Sequence, residues 1–146
     1  MDKKTIIALV VLLAVIVLGA VLIASPSQTG NGAPFVSEKV KVTLPFPGAT
    51  VLREFIVTGE ARGVWYFEAS FPVEVHDPEG NVVGRGLATA EGEWMTEEFV
   101  PFSAPVTIEN YSGPATLVLI KDNPSGLPEH DDSVSFGIIV SDIEAQ

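Results

Sequence analysis

The chain has 146 residues, of which 47% are hydrophobic, and its 19 acidic and 8 basic residues give a net charge of −11. Such an acidic chain is repelled by nucleic acid and by anionic membrane surfaces, so binding to nucleic acid is not expected. The chain has no cysteine, which excludes disulfides, thiolate metal sites and cysteine nucleophiles.

The N-terminal region predicts a membrane anchor. Residues 6–24 are apolar and uncharged, and two lysines precede them within residues 1–5. As a helix this run spans roughly 28 Å, close to the hydrocarbon thickness of a bilayer. The lysines keep residues 1–5 cytoplasmic and direct the rest of the chain across the membrane. A cleaved signal peptide is the alternative, but the run is long, and cleavage after Ala24 would place Leu22 at a position that favours small residues.

The segment after the anchor predicts a flexible linker over 25–37, a β domain over 38–141 and a short tail over 142–146. The linker is rich in Pro, Ser, Gly and Asn, which gives it little capacity to pack. In the domain, apolar and polar residues alternate with the period of β-strands, and turn residues separate the strands. The predicted strands are 39–44, 54–61, 64–77, 82–90, 96–108, 115–121 and 134–140.

Three of these strands allow more specific predictions. The alternation is clearest from Val64 to Asp77, which predicts one continuous strand with its even and odd positions on opposite faces. The segment Thr96–Ile108 contains two prolines, which predicts an edge or bent strand. The nearly all-apolar segment Ala115–Lys121 predicts a central strand. About seven strands in roughly 100 residues predict an immunoglobulin-like antiparallel β-sandwich.

Several phrases of the domain, in their order and spacing, resemble a known family. They are LPFPGA at 44–49, FIVTGEA at 55–61, WYFEA at 65–69 and DPEGNV at 77–82. The chain closely resembles the immunoglobulin-like domain associated with bacterial spore germination. Two later phrases, GEWMT at 92–96 and KDNPSGLP at 121–128, look like the variant found in envelope proteins of bacteria that do not sporulate. The resemblance implies an extracytoplasmic immunoglobulin-like module, and it implies no catalytic residues.

An acidic loop near the C-terminus is the first candidate binding site. Asp122 and Asn123 are candidate binding residues at its start. Calcium prefers several oxygen ligands, and the candidate calcium ligands of the loop are Asp122, Glu129, Asp131 and Asp132. A solvated acidic loop is the simpler interpretation, because the spacing matches no calcium-binding loop.

Two aromatic residues are the second candidate. Trp94 and Tyr111, if both are exposed, would offer flat apolar surfaces to a sugar ring or a peptide. Trp65, by contrast, shares its parity with apolar positions, which predicts that it is buried.

The sequence predicts a non-enzymatic protein without a cofactor. It has no nucleophile elbow, phosphate-binding loop or dinucleotide fingerprint, and its only histidines, His76 and His130, are too few for a zinc site without cysteine. We therefore expect a single-pass membrane protein whose extracytoplasmic domain has an interaction or structural role in a bacterial envelope. Its expected partner is an envelope protein, which an end loop, an edge strand or an exposed aromatic residue would bind. An envelope glycan, or calcium-stabilised adhesion, is the alternative.

Overall fold

The computed structural model describes residues 32–143, and these form nine β-strands and two short 3₁₀ turns. The strands are β1 (Phe35–Val36), β2 (Val40–Leu44), β3 (Thr50–Val51), β4 (Glu54–Arg62), β5 (Ser70–His76), β6 (Val82–Ala90), β7 (Phe99–Ile108), β8 (Gly113–Ile120) and β9 (Ser133–Val140). The 3₁₀ turns are Gly63–Trp65 and Pro128–His130.

The strands form a single curled sheet. Its order is β1-β2-β4-β7-β6-β5-β8-β9-β3, and every neighbouring pair is antiparallel except β3 with β9. Strand β6 pairs with both β5 and β7, which joins the two sheets that a sandwich would keep apart. The sheet curls far enough for Phe35 of β1 to stack on Phe136 of β9, with ring centroids 5.3 Å apart. The predicted all-β, antiparallel class is thus confirmed, with a continuous sheet in place of two.

The inner face of the curled sheet holds an apolar core. Alternate residues of β5 and β8 are buried and half-buried, as period-2 patterning predicts. Phe71 is fully buried and lies edge-on to three other rings, with centroid distances of 6.0 Å to Trp65, 5.1 Å to Tyr66 and 5.0 Å to Phe102. The buried side chains of residues 32–143 are those of hydrophobic residues, including Tyr66, so hydrophobic burial is the main contribution of side chains to the stability of this core.

Strand β7 lies inside the sheet, so the edge alternative of the predicted edge or bent strand was wrong. It pairs with β4 along its whole length and with β6 on its other side. Pro101 and Pro105 both point outward and are exposed. Between β6 and β7 the paired residues pass from Gly86–Val106 directly to Thr89–Ser103, and Pro105, which has no backbone N–H to donate, lies within that gap. Strand β8 pairs with β5 and β9, which confirms the predicted central strand.

The predicted continuous strand from Val64 to Asp77 is interrupted. Its first residues form the 3₁₀ turn, and β5 begins only at Ser70. Between them, the N–H and C=O groups of Phe67 and Ser70 bond reciprocally at 3.0 and 3.1 Å, which closes a two-residue hairpin. The two central residues have positive φ, 49° at Glu68 and 63° at Ala69. Type I′ turns require this conformation, but they normally use Asn and Gly there.

This hairpin gives a testable prediction. The double substitution Glu68→Asn with Ala69→Gly should raise the free energy of unfolding by about 1–2 kcal/mol, because asparagine and glycine tolerate the left-handed region. Urea unfolding followed by circular dichroism measures the change. Glu79→Asn is the control, since the β5–β6 turn already has Gly80 at φ 87°. An unchanged or lowered stability in the double variant would contradict the prediction.

The described residues include the last part of the predicted linker. Strand β1 lies within the predicted linker 25–37 and pairs with β2. Within residues 32–143, no helix is long and apolar enough to cross a membrane. The predicted anchor at 6–24 lies outside the described residues, and it stays a prediction.

Candidate functional site

Three loops meet at one end of the curled sheet, which we call the loop end. They are the β4–β5 loop (63–69), the β6–β7 loop (91–98) and the β8–β9 loop (121–132). Strands β4, β6 and β8 all run toward this end, because each pairs antiparallel with the strands β7, β5 and β9 that leave it. The loop end therefore combines segments that lie far apart in the sequence.

Backbone hydrogen bonds connect the β4–β5 loop to both other loops. The N–H of Gly63 donates to the carbonyl of Glu98 at 3.0 Å, and the N–H of Asp122 donates to the carbonyl of Trp65 at 3.0 Å. The Arg62 side chain donates to the carbonyl of Glu38 at 3.1 Å. The side chain of Trp65 is buried beneath the loops. The loops thus form a braced surface over the core.

Large apolar side chains are exposed in each of the three loops. The exposed fraction is 61% for Val64, 42% for Phe67, 73% for Met95 and 47% for Leu127. Leu127 is tied to the start of its loop, because the side-chain amide of Asn123 donates to the carbonyl of Leu127 at 2.8 Å. A rigid framework therefore presents four apolar side chains to solvent, although exposing such surface costs free energy.

The loop end is also the most acidic part of the domain. The three loops contain nine acidic residues and one lysine. Several of the carboxylates have no side-chain partner among the described hydrogen bonds and ion pairs, such as those of Glu97 and Glu129. Asp132 is an exception, since its carboxylate pairs with Lys39 at 2.5 Å.

The predicted calcium ligands are not gathered into one site. Within residues 32–143, no group of three or more His, Asp or Glu side chains could hold a metal ion. The side-chain amide of Asn123 donates to Asp131 at 2.7 Å, and Asp132 pairs with Lys39. The N–H of Asp122 is engaged with Trp65, and Glu129 is exposed. Hydrogen bonds within the β8–β9 loop account for its shape.

The two candidate aromatic residues do not share a surface. Trp94 lies in the loop before β7, and Tyr111 lies in the turn after it. The ten residues of β7 therefore separate the two rings by about 30 Å. Trp94 is half-buried against the core at the loop end, beside Gly63. Tyr111 lies in the β7–β8 turn, where its hydroxyl donates to the carbonyl of Pro114. A sugar-binding platform cannot include both rings.

Two other groups of polar residues lie away from the loop end, and the sequence did not predict them. On the outer face, Glu74 accepts from Arg85 at 3.2 Å and contacts His76 at 2.7 Å. This grouping follows from strand register and has no sequence motif. A cleft of about 440 Å³ at the opposite end is lined in part by Glu54 and Glu109. Neither place brings a nucleophile together with a base.

Tyr66 is a buried residue of the β4–β5 loop, and it gives a prediction about how stability depends on pH. Its hydroxyl donates to the carbonyl of Val100 at 2.7 Å, and burial raises the pKa of Tyr66 above its ordinary value of 10.0. Because the unfolded chain ionises first, stability is full below about pH 10 and falls as the pH rises toward the higher folded pKa. We expect Tyr66→Phe to be less stable at pH 7, by about 1–3 kcal/mol from the unpaired carbonyl.

The measurement is urea unfolding from pH 7 to pH 11. The stability of the parent protein should decline more steeply above pH 10 than that of the Tyr66→Phe variant. Tyr111→Phe is the matched control, since Tyr111 is only half-buried, and it should keep the parental decline. Equal slopes for the parent and Tyr66→Phe would show that Tyr66 is not responsible.

The domain shares its all-β, mostly antiparallel class and its loops clustered at the ends with immunoglobulin-like sandwiches, although one continuous sheet replaces the two sheets of a sandwich. The chain belongs to the family described as the immunoglobulin-like domain of bacterial spore germination, whose model matches residues 39–126. The match extends from just before β2 into the β8–β9 loop. Comparisons with curated proteins and with solved structures find no match. The family assignment confirms the predicted resemblance to that domain, and the resemblance to the variant of bacteria that do not sporulate stays a prediction.

Proposed function

We propose that this protein is a membrane-anchored interaction module whose immunoglobulin-like domain lies outside the cytoplasm of a bacterial cell and acts without catalysis. The apolar run at 6–24 and the two lysines before it support the anchor and its orientation. The family supports an immunoglobulin-like domain linked with spore germination. In this proposal the domain takes part in envelope assembly or in signalling by binding another component.

The observation that carries the interaction role is the braced, exposed apolar surface at the loop end. Binding sites are commonly placed on loops that a rigid scaffold positions. The first described residue, Gly32, packs on the ring of Phe46, in the connection between β2 and β3, away from the loop end. The proposed membrane tether precedes this residue in the sequence. It keeps the domain at a high local concentration near the membrane.

Cysteine labelling tests the proposed anchoring and orientation. The chain has no cysteine, so single cysteines can be introduced without a background. We expect Glu79→Cys, in an exposed turn of the domain, to react with a membrane-impermeant maleimide in intact cells. Asp2→Cys should react only after the cells are permeabilised.

Fractionation completes this test. The full-length chain should stay with the membranes after alkaline carbonate washing, at the mass of the uncleaved protein. Labelling of Asp2→Cys in intact cells would reverse the proposed orientation. Release of a shortened chain lacking residues 1–24 would replace the anchor with a cleaved signal peptide.

A further inference from the structure

We propose that the loop end docks a protein partner whose surface carries basic side chains around an apolar contact. This inference rests on the proposed interaction function, and it adds the location of the interface and the chemistry of the partner. The centre of the interface consists of four apolar side chains, and the acidic residues of the same loops form its rim. Interfaces of this kind combine an apolar centre with a polar periphery.

The apolar centre is the first step of the argument. Val64, Phe67, Met95 and Leu127 are four of the eleven large hydrophobic residues that are exposed in residues 32–143. They fall within 27 residues of loop, where turn chemistry would favour polar side chains. Other exposed apolar residues lie on the outer face of the sheet, where Ile56 and Leu87 flank the exposed Pro105 across β4, β7 and β6. The loop-end residues differ from that row in lying on loops that backbone hydrogen bonds connect, and exposed apolar groups on such loops mark an interaction surface.

The bracing of the loops is the second step. The backbone bonds from Gly63 to Glu98 and from Asp122 to Trp65 fix the three loops relative to one another. The β8–β9 loop is further held by Ser125, whose hydroxyl accepts from the N–H of Leu127 at 3.1 Å. A preformed surface loses little conformational entropy when it binds. The apolar side chains are therefore already positioned for a partner.

The charge of the loops defines the partner. The nine acidic residues of the loops outnumber Lys121 and the adjoining Lys39 and Arg62, so the rim is negative, attracts a basic surface and repels an acidic one. A second copy of this chain would bring the same acidic loops to the contact, which disfavours self-association through the loop end. An anionic lipid surface is disfavoured for the same reason. A basic protein surface is the occupant that complements both the rim and the apolar centre.

The edges of the sheet are the alternative docking site. The edge strands β1 and β3 have two residues each, and short edges resist the addition of another strand. The longest open template for the edge-strand pairing expected from the sequence is the part of β9 before Ile139, because β3 pairs only with Ile139 and Val140. Binding through the loop end does not depend on an open edge.

Site-specific photocrosslinking in the source cells tests this inference with the full chain. A benzophenone amino acid is placed at Met95 or at Val64, and at Ile56 as the control. Ile56 is 59% exposed, comparable to Val64, but it lies on the outer face of β4. We expect Met95 and Val64 to crosslink to the same protein, at a segment with an excess of Lys and Arg, and 0.5 M salt before irradiation should remove most of the product. Ile56 should give no such product.

Paired charge substitutions provide the second measurement. Glu97→Lys with Glu129→Lys should reduce the crosslink from Met95 about tenfold, because both acidic residues lie in the rim. Glu79→Lys with Glu109→Lys changes the net charge equally at the opposite end and should leave the crosslink unchanged. Equal losses in both pairs would indicate only a general charge effect and would overturn the docking site.

The remaining outcomes separate this inference from the function on which it rests. A specific protein crosslinked from Ile56 but not from Met95 or Val64 would overturn the loop-end site and leave an interaction module. An acidic protein segment, a glycan or a second copy of the chain at Met95 would overturn the proposed partner chemistry. No specific product from any of the three positions would count against the interaction function itself, and the inference would fail with it.

Discussion

Replacing Phe71 with alanine should lower the free energy of unfolding by about 3–5 kcal/mol. The Phe71 side chain is fully buried, and its ring meets those of Trp65, Tyr66 and Phe102. The substitution removes apolar burial and leaves a cavity that these three rings cannot fill without leaving their rotamers. A loss of that size is a large part of the 5–15 kcal/mol that typically stabilises a small domain. Urea unfolding of the parent and the variant measures it.

Phe67→Ala is the matched control for this prediction. It removes the same side chain four residues earlier, from a position that is 42% exposed. We expect a loss of less than about 1 kcal/mol, because much of the Phe67 ring already contacts water. Similar losses at Phe67 and Phe71 would mean that both rings belong to the core, which would contradict the hairpin between them.

These two phenylalanines show where sequence periodicity fails. Phe67 and Phe71 have the same parity in the predicted strand 64–77, so alternation assigns both to the core. The hairpin at Glu68 and Ala69 separates them, and it lacks the Asn-Gly or Asp-Gly pair that would mark it in the sequence. Their positive φ values are imposed by the pairing of Phe67 with Ser70 and by the loop contacts around them. Local residue preferences could not have revealed this turn.

The rest of the fold was predictable to the extent that each element carries its own pattern. Strands β5 and β8 alternate or run apolar over seven or eight residues, and both were predicted. Strands β1 and β3 have two residues each, which is too short for any period. The internal place of β7 was missed because Pro101 and Pro105 are typical of edges. Whether a missing N–H disrupts a sheet depends on which neighbour it would have bonded, and the sequence does not contain that information.

The candidate site was predictable only in part. The acidic loop at 122–132 was recognised from composition, because acidic residues adjacent in sequence stay adjacent in space. The placement of the loops that carry Val64, Met95 and Leu127 at one end of the sheet depends on the strand order, and a single apolar residue in a turn has no period to mark it. Trp94 and Tyr111 were grouped by residue type, and β7 separates them. Loop surfaces built from distant segments need the topology before they can be recognised.

Replacing Gly63 with alanine should lower the free energy of unfolding by about 3 kcal/mol and loosen the loop end. A Cβ atom at Gly63 would lie 1.8 Å from the carbonyl oxygen of Thr96 and 2.4 Å from that of Trp94. Both atoms belong to the backbone, so relief requires the β6–β7 loop to move, at a cost at the high end of overpacking substitutions. The movement should break the bond from Gly63 to Glu98. Urea unfolding measures the stability, and amide hydrogen exchange at Gly63 and Thr96 measures the loosening.

Gly137→Ala is the control, because a Cβ atom there meets nothing closer than 4.0 Å, and a strand tolerates alanine at least as well as glycine. Its stability should match or slightly exceed that of the parent. If Gly63→Ala is destabilised and also loses the crosslink from Met95, while Gly137→Ala keeps both properties, the approach of the two loops is needed for docking. Parental stability in Gly63→Ala would show that the β4–β5 and β6–β7 loops lie farther apart than the described contact, and the braced loop end would then have to be abandoned.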